Sequence, residues 1–164
     1  MSSSKAIVTS KAVERIKAGH LWIYRSDVLE CSASPGSIVA VFDKKGKFYG
    51  QAFYSSTSLI TLRLLTSSDE CIDRQFWLNR LQRAFELRQR VVSDTEVYRL
   101  VHAEGDGLPS IIVDRYGETL SLQTLSQGAE QLKPVLVDIL LEFYAPQTIV
   151  ELNDAKVREL EGLP

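Results

Sequence analysis

The sequence predicts a mixed α+β protein in two parts: a small β-barrel of short strands with one helix, then an α/β domain with a β-meander and flanking helices. Three observations carry that expectation. Up to about residue 66, short apolar runs at period two are separated by turn residues. From Cys71 to Val91 the apolar spacing becomes that of a helix. Beyond residue 96, strand and helix patterns alternate. The domains expected are 1–68 for the barrel, 69–96 for a connector helix and 97–164 for the α/β part.

Lys11 to Ala18 reads as a short helix, with Ser10 placed to cap it and Gly19 to end it. "LWIY" at 21–24 then enters an extended stretch, in which Trp22 and Tyr24 read as packing residues of the barrel. Ile38 to Phe42 alternates into Asp43-Lys44-Lys45-Gly46-Lys47, and Phe48 to Tyr54 follows, the pattern of a hairpin with a basic tip. Leu59 to Leu65 is a further strand, its Ile60, Leu62 and Leu64 face wholly apolar and its other face, with Thr61 and Arg63, mixed. In the connector helix Trp77, Leu78, Leu81, Ala84 and Phe85 recur at helical spacing, while Arg80, Arg83 and Arg90 take other faces. Phe76 and Trp77 read as core.

"VHAEGDGLPSIIVDRYGETLSLQ" follows at 101–123. Glu104, Asp106 and His102 could assemble a metal site or an acid–base pair. The backbone argues for a turn, because Gly105, Asp106, Gly107 and Pro109 cluster between β-branched runs and Tyr116-Gly117-Glu118 makes a second break. A three-stranded meander is the reading. After it come an amphipathic helix from Ala129 to Tyr144 with Pro134 near its first turn, a strand from Thr148 to Leu152, and a short helix from Asp154 to Leu160. Alternation of this kind normally continues, so the chain is expected to be a portion of something longer.

The composition, 45% hydrophobic and 24% charged, predicts a packed core, with disorder confined to Met1–Ser4. No apolar run approaches the roughly 20 residues of a membrane span, and no secretion signal opens the chain. Cys31 and Cys71 form no C-x-x-C and read as buried, reduced thiols of a cytoplasmic protein. No zinc-ligand spacing is present, so no metal is expected. The net charge of −2 divides unevenly: residues 1–90 hold 14 basic against 8 acidic residues, +6, and residues 91–164 hold 5 against 13, −8. A polyanion, most plausibly nucleic acid, would meet the first part.

"AGHLWIYRSDV", "RLVHAEGDGLPSIIVDRYGETLSLQ" and "IVELNDAKVRELEGL", in this order and with a long helix between the first two, resemble the class I S-adenosylmethionine-dependent ribosomal RNA large subunit methyltransferases. These carry an N-terminal PUA domain and modify C5 of a cytosine. The likeness runs from about Ala6 onward; Leu21 and Ser110 stand where the family commonly has proline and glycine. The resemblance implies that a cysteine thiolate adds to cytosine C6 in the complete enzyme. It places that cysteine and the glycine-rich S-adenosylmethionine loop in a Rossmann-like domain expected after residue 164. Neither Cys31 nor Cys71 matches the nucleophile, so this chain is expected to bind no cofactor and to hold no catalytic residue. The implied partner is ribosomal RNA, gripped at its phosphates by the PUA-like module. Lys11, Arg15, Lys17, Arg25, Lys44, Lys45 and Lys47 are the candidates, chosen by charge. A homodimer is compatible with this reading. A free-standing PUA-type adaptor and a protein-docking module with an acidic second half are the competing expectations.

Overall fold

The computed structural model describes residues 4–164, so that all but Ser4 of the tail expected at Met1–Ser4 lies outside the described residues. The architecture is mixed α and β, as expected. The chain divides into two compact units, one of residues 1–70, 126–128 and 159–164, the other of residues 71–125 and 129–158.

The first unit holds β1 (Lys5–Val8), α1 (Ser10–Lys17), β2 (Trp22–Tyr24), β3 (Val28–Cys31), β4 (Ile38–Asp43), β5 (Phe48–Tyr54) and β6 (Ile60–Thr66). They form one six-stranded sheet in the order β2-β6-β5-β4-β1-β3, with β1 parallel to β4 and the other pairs antiparallel. Alternate positions supply the core: Ala6 and Val8, Val39 and Val41, Leu62 and Leu64, with Ala12 and Val13 from α1. β1 and β3 have no counterpart among the sequence expectations, because four residues are too few to show a period. The cap of α1 is Thr9 and not Ser10: the Ala12 N–H donates to Thr9 Oγ1 at 3.2 Å, and Ser10 is already helical.

Both faces of β6 are buried: Thr61, Arg63 and Leu65 on its mixed face lie as deep as Leu64 on its apolar one. Arg63 tolerates burial because Glu161, from the last segment of the same unit, lies against it with Nη2–Oε1 at 2.8 Å. The second carboxylate oxygen of Glu161 accepts from Ser55 Oγ at 2.6 Å and from the Gln127 N–H at 3.2 Å.

The second unit opens with α2 (Arg74–Val91), whose Phe76 N–H donates to the capping Asp73 at 3.1 Å. β7 (Val97–His102), β8 (Ile111–Tyr116) and β9 (Thr119–Thr124) form the expected antiparallel meander. β10 (Thr148–Glu151) joins β9 in parallel, giving the order β10-β9-β8-β7. α3 runs Gln127–Tyr144, two residues longer at its start than expected, so Pro134 falls inside the helix instead of near its first turn. Its first two residues group with the first unit. Phe76 and Trp77 are buried as expected, and Phe85 of α2 meets Phe143 and Tyr144 of α3 edge-on at 5.4 and 5.3 Å. In α4 (Val157–Leu160), Arg158 is buried with its Nη1 3.0 Å from Glu130 Oε2. Cys31 is half-buried, which pushes its thiol pKa up, whereas Cys71 is exposed, against expectation.

Ser110 ends the turn before β8 with φ +63, the left-handed region, and its buried hydroxyl has no hydrogen-bond partner. The resembled family commonly has glycine there. Ser110→Gly removes a left-handed penalty of about 1–2 kcal/mol and an unsatisfied hydroxyl, against about 0.5–1 kcal/mol of added chain entropy. The second unit should therefore gain about 1 kcal/mol, read as a higher urea midpoint at unchanged slope. An equal or lower midpoint would mean the turn is unstrained.

Candidate nucleic-acid interface

The turn at 102–107 resolves the first candidate site. Ala103–Asp106 is a 3₁₀ turn closed by Gly107 at φ +68. The Asp106 carboxylate takes both guanidinium nitrogens of Arg88, at 2.6 and 2.7 Å, and also accepts the His102 backbone N–H at 2.6 Å. Arg80 donates to the Gly107 carbonyl. Asp106 is thus committed to tying α2 to the meander. Among the described residues, no three His, Cys, Asp or Glu side chains come together as a metal site requires. No described helix is long and apolar enough to cross a membrane.

The seven cations fall into two groups in the first unit. Lys11, Arg15 and Arg25 line one concavity of about 520 Å³ together with Tyr24, Ser26 and Leu59. Arg15 is set by Asp27, a buried carboxylate 2.9 Å from its Nη1, which itself accepts from Thr9 Oγ1 at 3.2 Å. The guanidinium stands 5.7 Å from the centre of the Tyr24 ring. Arg25 donates to the carbonyls of Thr57 and Ser58 in the loop between β5 and β6. Two guanidiniums are therefore held in place by the protein, and Lys11 is exposed beside them. Lys17 is exposed in the last turn of α1, outside the concavity's lining.

Lys44, Lys45 and Lys47 form the second group, at the turn between β4 and β5. Asp43 organises it: one carboxylate oxygen accepts the Lys45 and Lys47 backbone N–H groups at 2.8 and 2.9 Å. The Lys47 N–H foremost, then the Lys45 N–H and the Tyr49 hydroxyl, hold the Asp43 carboxyl below its usual range. Gly46, at φ +80, supplies the left-handed residue the turn needs. The tip is a fixed loop presenting three ammonium groups.

Two expectations change here. Trp22 and Tyr24 are 42% and 40% exposed, and only Ile23 between them is buried. Ile23 takes the inward position of β2 and leaves both rings outward, a choice of face that three residues are too few to reveal in the sequence. The charge division also shrinks, because α2 with its arginines belongs to the second unit. The first unit carries 9 basic and 8 acidic residues, +1, and the second 10 and 13, −3. What distinguishes the first unit is local clustering of cations and not net charge.

Residues 6–67 match the PUA-like domain family. Over nearly its whole length the chain is homologous to proteins named ribosomal RNA large subunit methyltransferase I. It is 37% identical to that of Vibrio cholerae serotype O1, covering 90% of this chain and 38% of the relative. It is 37% identical to that of Vibrio parahaemolyticus, covering 96% and 41%, and 39% identical to that of Yersinia pseudotuberculosis, covering 88% and 38%. The chain thus spans about two fifths of the length of the curated relatives it matches. Among solved structures, a candidate SAM-dependent methyltransferase from Streptococcus mutans superposes with a TM-score of 0.76 at 19% identity, covering 87% of this chain and 38% of that one. A candidate methyltransferase complexed with SAH gives 0.78 at 19%, covering 89% and 40%. At that identity the likeness is one of fold.

Proposed function

We propose that the chain is the RNA-holding portion of a cytoplasmic S-adenosylmethionine-dependent methyltransferase that modifies cytosine C5 in large-subunit ribosomal RNA. The observation that carries this reading is the PUA-like domain at residues 6–67 whose Lys11, Arg15 and Arg25 converge on one concavity, in a chain homologous to ribosomal RNA large subunit methyltransferases. Guanidinium and ammonium groups held at fixed positions suit phosphate oxygens, because little ordering of the cations is needed on binding. Lys17 and the tip lysines Lys44, Lys45 and Lys47 extend the phosphate track. In this reading residues 1–68 grip the RNA, 69–96 connect, and 97–164 form an intermediate domain. The chain, about two fifths the length of its relatives, supplies the grip on the RNA in this reading, and the cofactor site and the nucleophile lie elsewhere in the methyltransferase.

Titration of a large-subunit RNA fragment at several salt concentrations tests it. Changing Lys44, Lys45 and Lys47 together to alanine should weaken binding across sequences. It should also lower the slope of log affinity against log salt by roughly 0.7 to 0.9 for each phosphate no longer neutralised, with DNA values as the guide. The fold should survive, since the Asp43 turn is held by backbone N–H groups. If neither the triple variant nor Lys11→Ala changes affinity or slope, the cation clusters are a solvated surface and the RNA reading fails.

A further inference from the structure

The exposed rings of β2 give the concavity a chemistry that phosphate binding does not use. β2 is an edge strand, paired only with β6 among the described residues. Its burial alternates, so Trp22 and Tyr24 stand on one face, 42% and 40% exposed, flanked by Leu21 at 37% and Leu59 at 72%. Soluble domains leave large apolar side chains singly at the surface as a matter of course. Tyr24 and Leu59 line the same concavity as the fixed cations, and Trp22 stands on the Tyr24 face of β2, which gives the patch a use. We infer that the β2 edge of the first unit binds an unpaired stretch of RNA, with bases stacked on Tyr24 and Trp22 and the flanking phosphates on Lys11, Arg15 and Arg25. The inference rests on the RNA reading above and specifies its substrate as single-stranded.

Two observations favour an unpaired strand as the occupant. The Arg15 guanidinium near the Tyr24 ring is anchored by Asp27, which fixes a cation next to the stacking surface. A volume of about 520 Å³ lies in the range of pockets that enclose small ligands, and a base in a duplex cannot enter a pocket without leaving its stack. The cations account for attraction to either form of RNA, but the rings have a function only for bases that are not paired.

The test compares a short single-stranded oligoribonucleotide with a duplex of the same sequence, each titrated with the intact chain. Tyr24→Ala and Tyr24→Leu should weaken single-strand binding by about 5- to 100-fold, the effect of losing one base–aromatic stack, at unchanged salt slope and with the duplex little affected. Leucine keeps apolar bulk at this exposed position, so a loss shared by both variants reports stacking and not unfolding. Lys11→Ala should instead weaken both forms and flatten both slopes. In a Trp77→Phe background, Trp22 is the one tryptophan left, and its emission should be quenched by the single strand and not by the duplex. Equal affinity for the two forms, with both Tyr24 variants binding like the parent, would overturn the stacking assignment and leave the phosphate reading intact. If neither form bound at low salt, both readings would fail.

Discussion

Replacing Glu161 by alanine should destabilise the first unit by about 3–5 kcal/mol, a large share of the roughly 5–15 kcal/mol that holds an ordinary domain folded. Arg63 is 5% exposed and Glu161 fully buried, so the variant leaves a guanidinium in the interior with no counter-charge. It also strips an acceptor from the Ser55 hydroxyl and the Gln127 N–H, both of which donate to the same carboxylate. Each buried donor left unsatisfied adds its own desolvation cost of about 1–3 kcal/mol. The double variant Arg63→Met, Glu161→Leu should recover part of the loss, because a buried ion pair owes much of its apparent worth to the penalty of breaking it. Each unit holds one of the chain's two tryptophans, Trp22 and Trp77, so urea unfolding followed with Trp77→Phe as background reads the first unit alone. A loss under about 1 kcal/mol would mean that water reaches Arg63 once the carboxylate is gone.

That ion pair also marks where the sequence is silent. Arg63 sits in a strand whose alternation reads as one apolar and one mixed face, and that inference is sound for a strand seen alone. Its partner lies 98 residues away, and nothing local announces it. The same holds for residues 126–128 grouping with the first unit. The hairpin at Asp43–Lys47 is legible because everything that fixes it is close in sequence: an acceptor side chain, a left-handed glycine and alternating flanks. The meander is legible for the same reason, with Gly107 and Gly117 both at positive φ where its strands reverse. For the candidate interface, charge picked out Lys11, Arg15 and Arg25, which the fold brings together. It could not tell that Arg15 and Arg25 are already engaged, by Asp27 and by two loop carbonyls, or that Tyr24 and Leu59 complete the concavity. The Arg25 contacts and the place of Leu59 depend on the loop between β5 and β6 meeting a residue more than thirty positions earlier. Position in sequence carries no trace of it.

In the second unit, three substitutions in one turn should rank in a definite order. Asp106→Ala should be the most damaging, at about 3–5 kcal/mol, because the carboxylate is 6% exposed and both Arg88 nitrogens lose their partner together with the His102 N–H. Gly107→Val should follow. Its φ of +68 is one a β-branched residue adopts only under strain, and a Cβ there would approach Arg80 Nη1 to 2.7 Å, displacing the side chain that donates to the Gly107 carbonyl. Glu104→Gln should cost the least, since it leaves the bidentate Arg88–Asp106 pair between α2 and the meander in place. Urea unfolding read through Trp77, with Trp22→Phe as background, measures all three, and parent-level RNA affinity of the folded variants would place the turn outside the RNA surface. A site that did chemistry would invert this order, with Glu104→Gln abolishing the activity of a full-length enzyme while Asp106→Ala and Gly107→Val kept it. The bidentate Arg88 pair is the physical reason to expect otherwise: with the two guanidinium nitrogens and the His102 N–H bound, three of the carboxylate's roughly four lone-pair sites are occupied and its charge is matched.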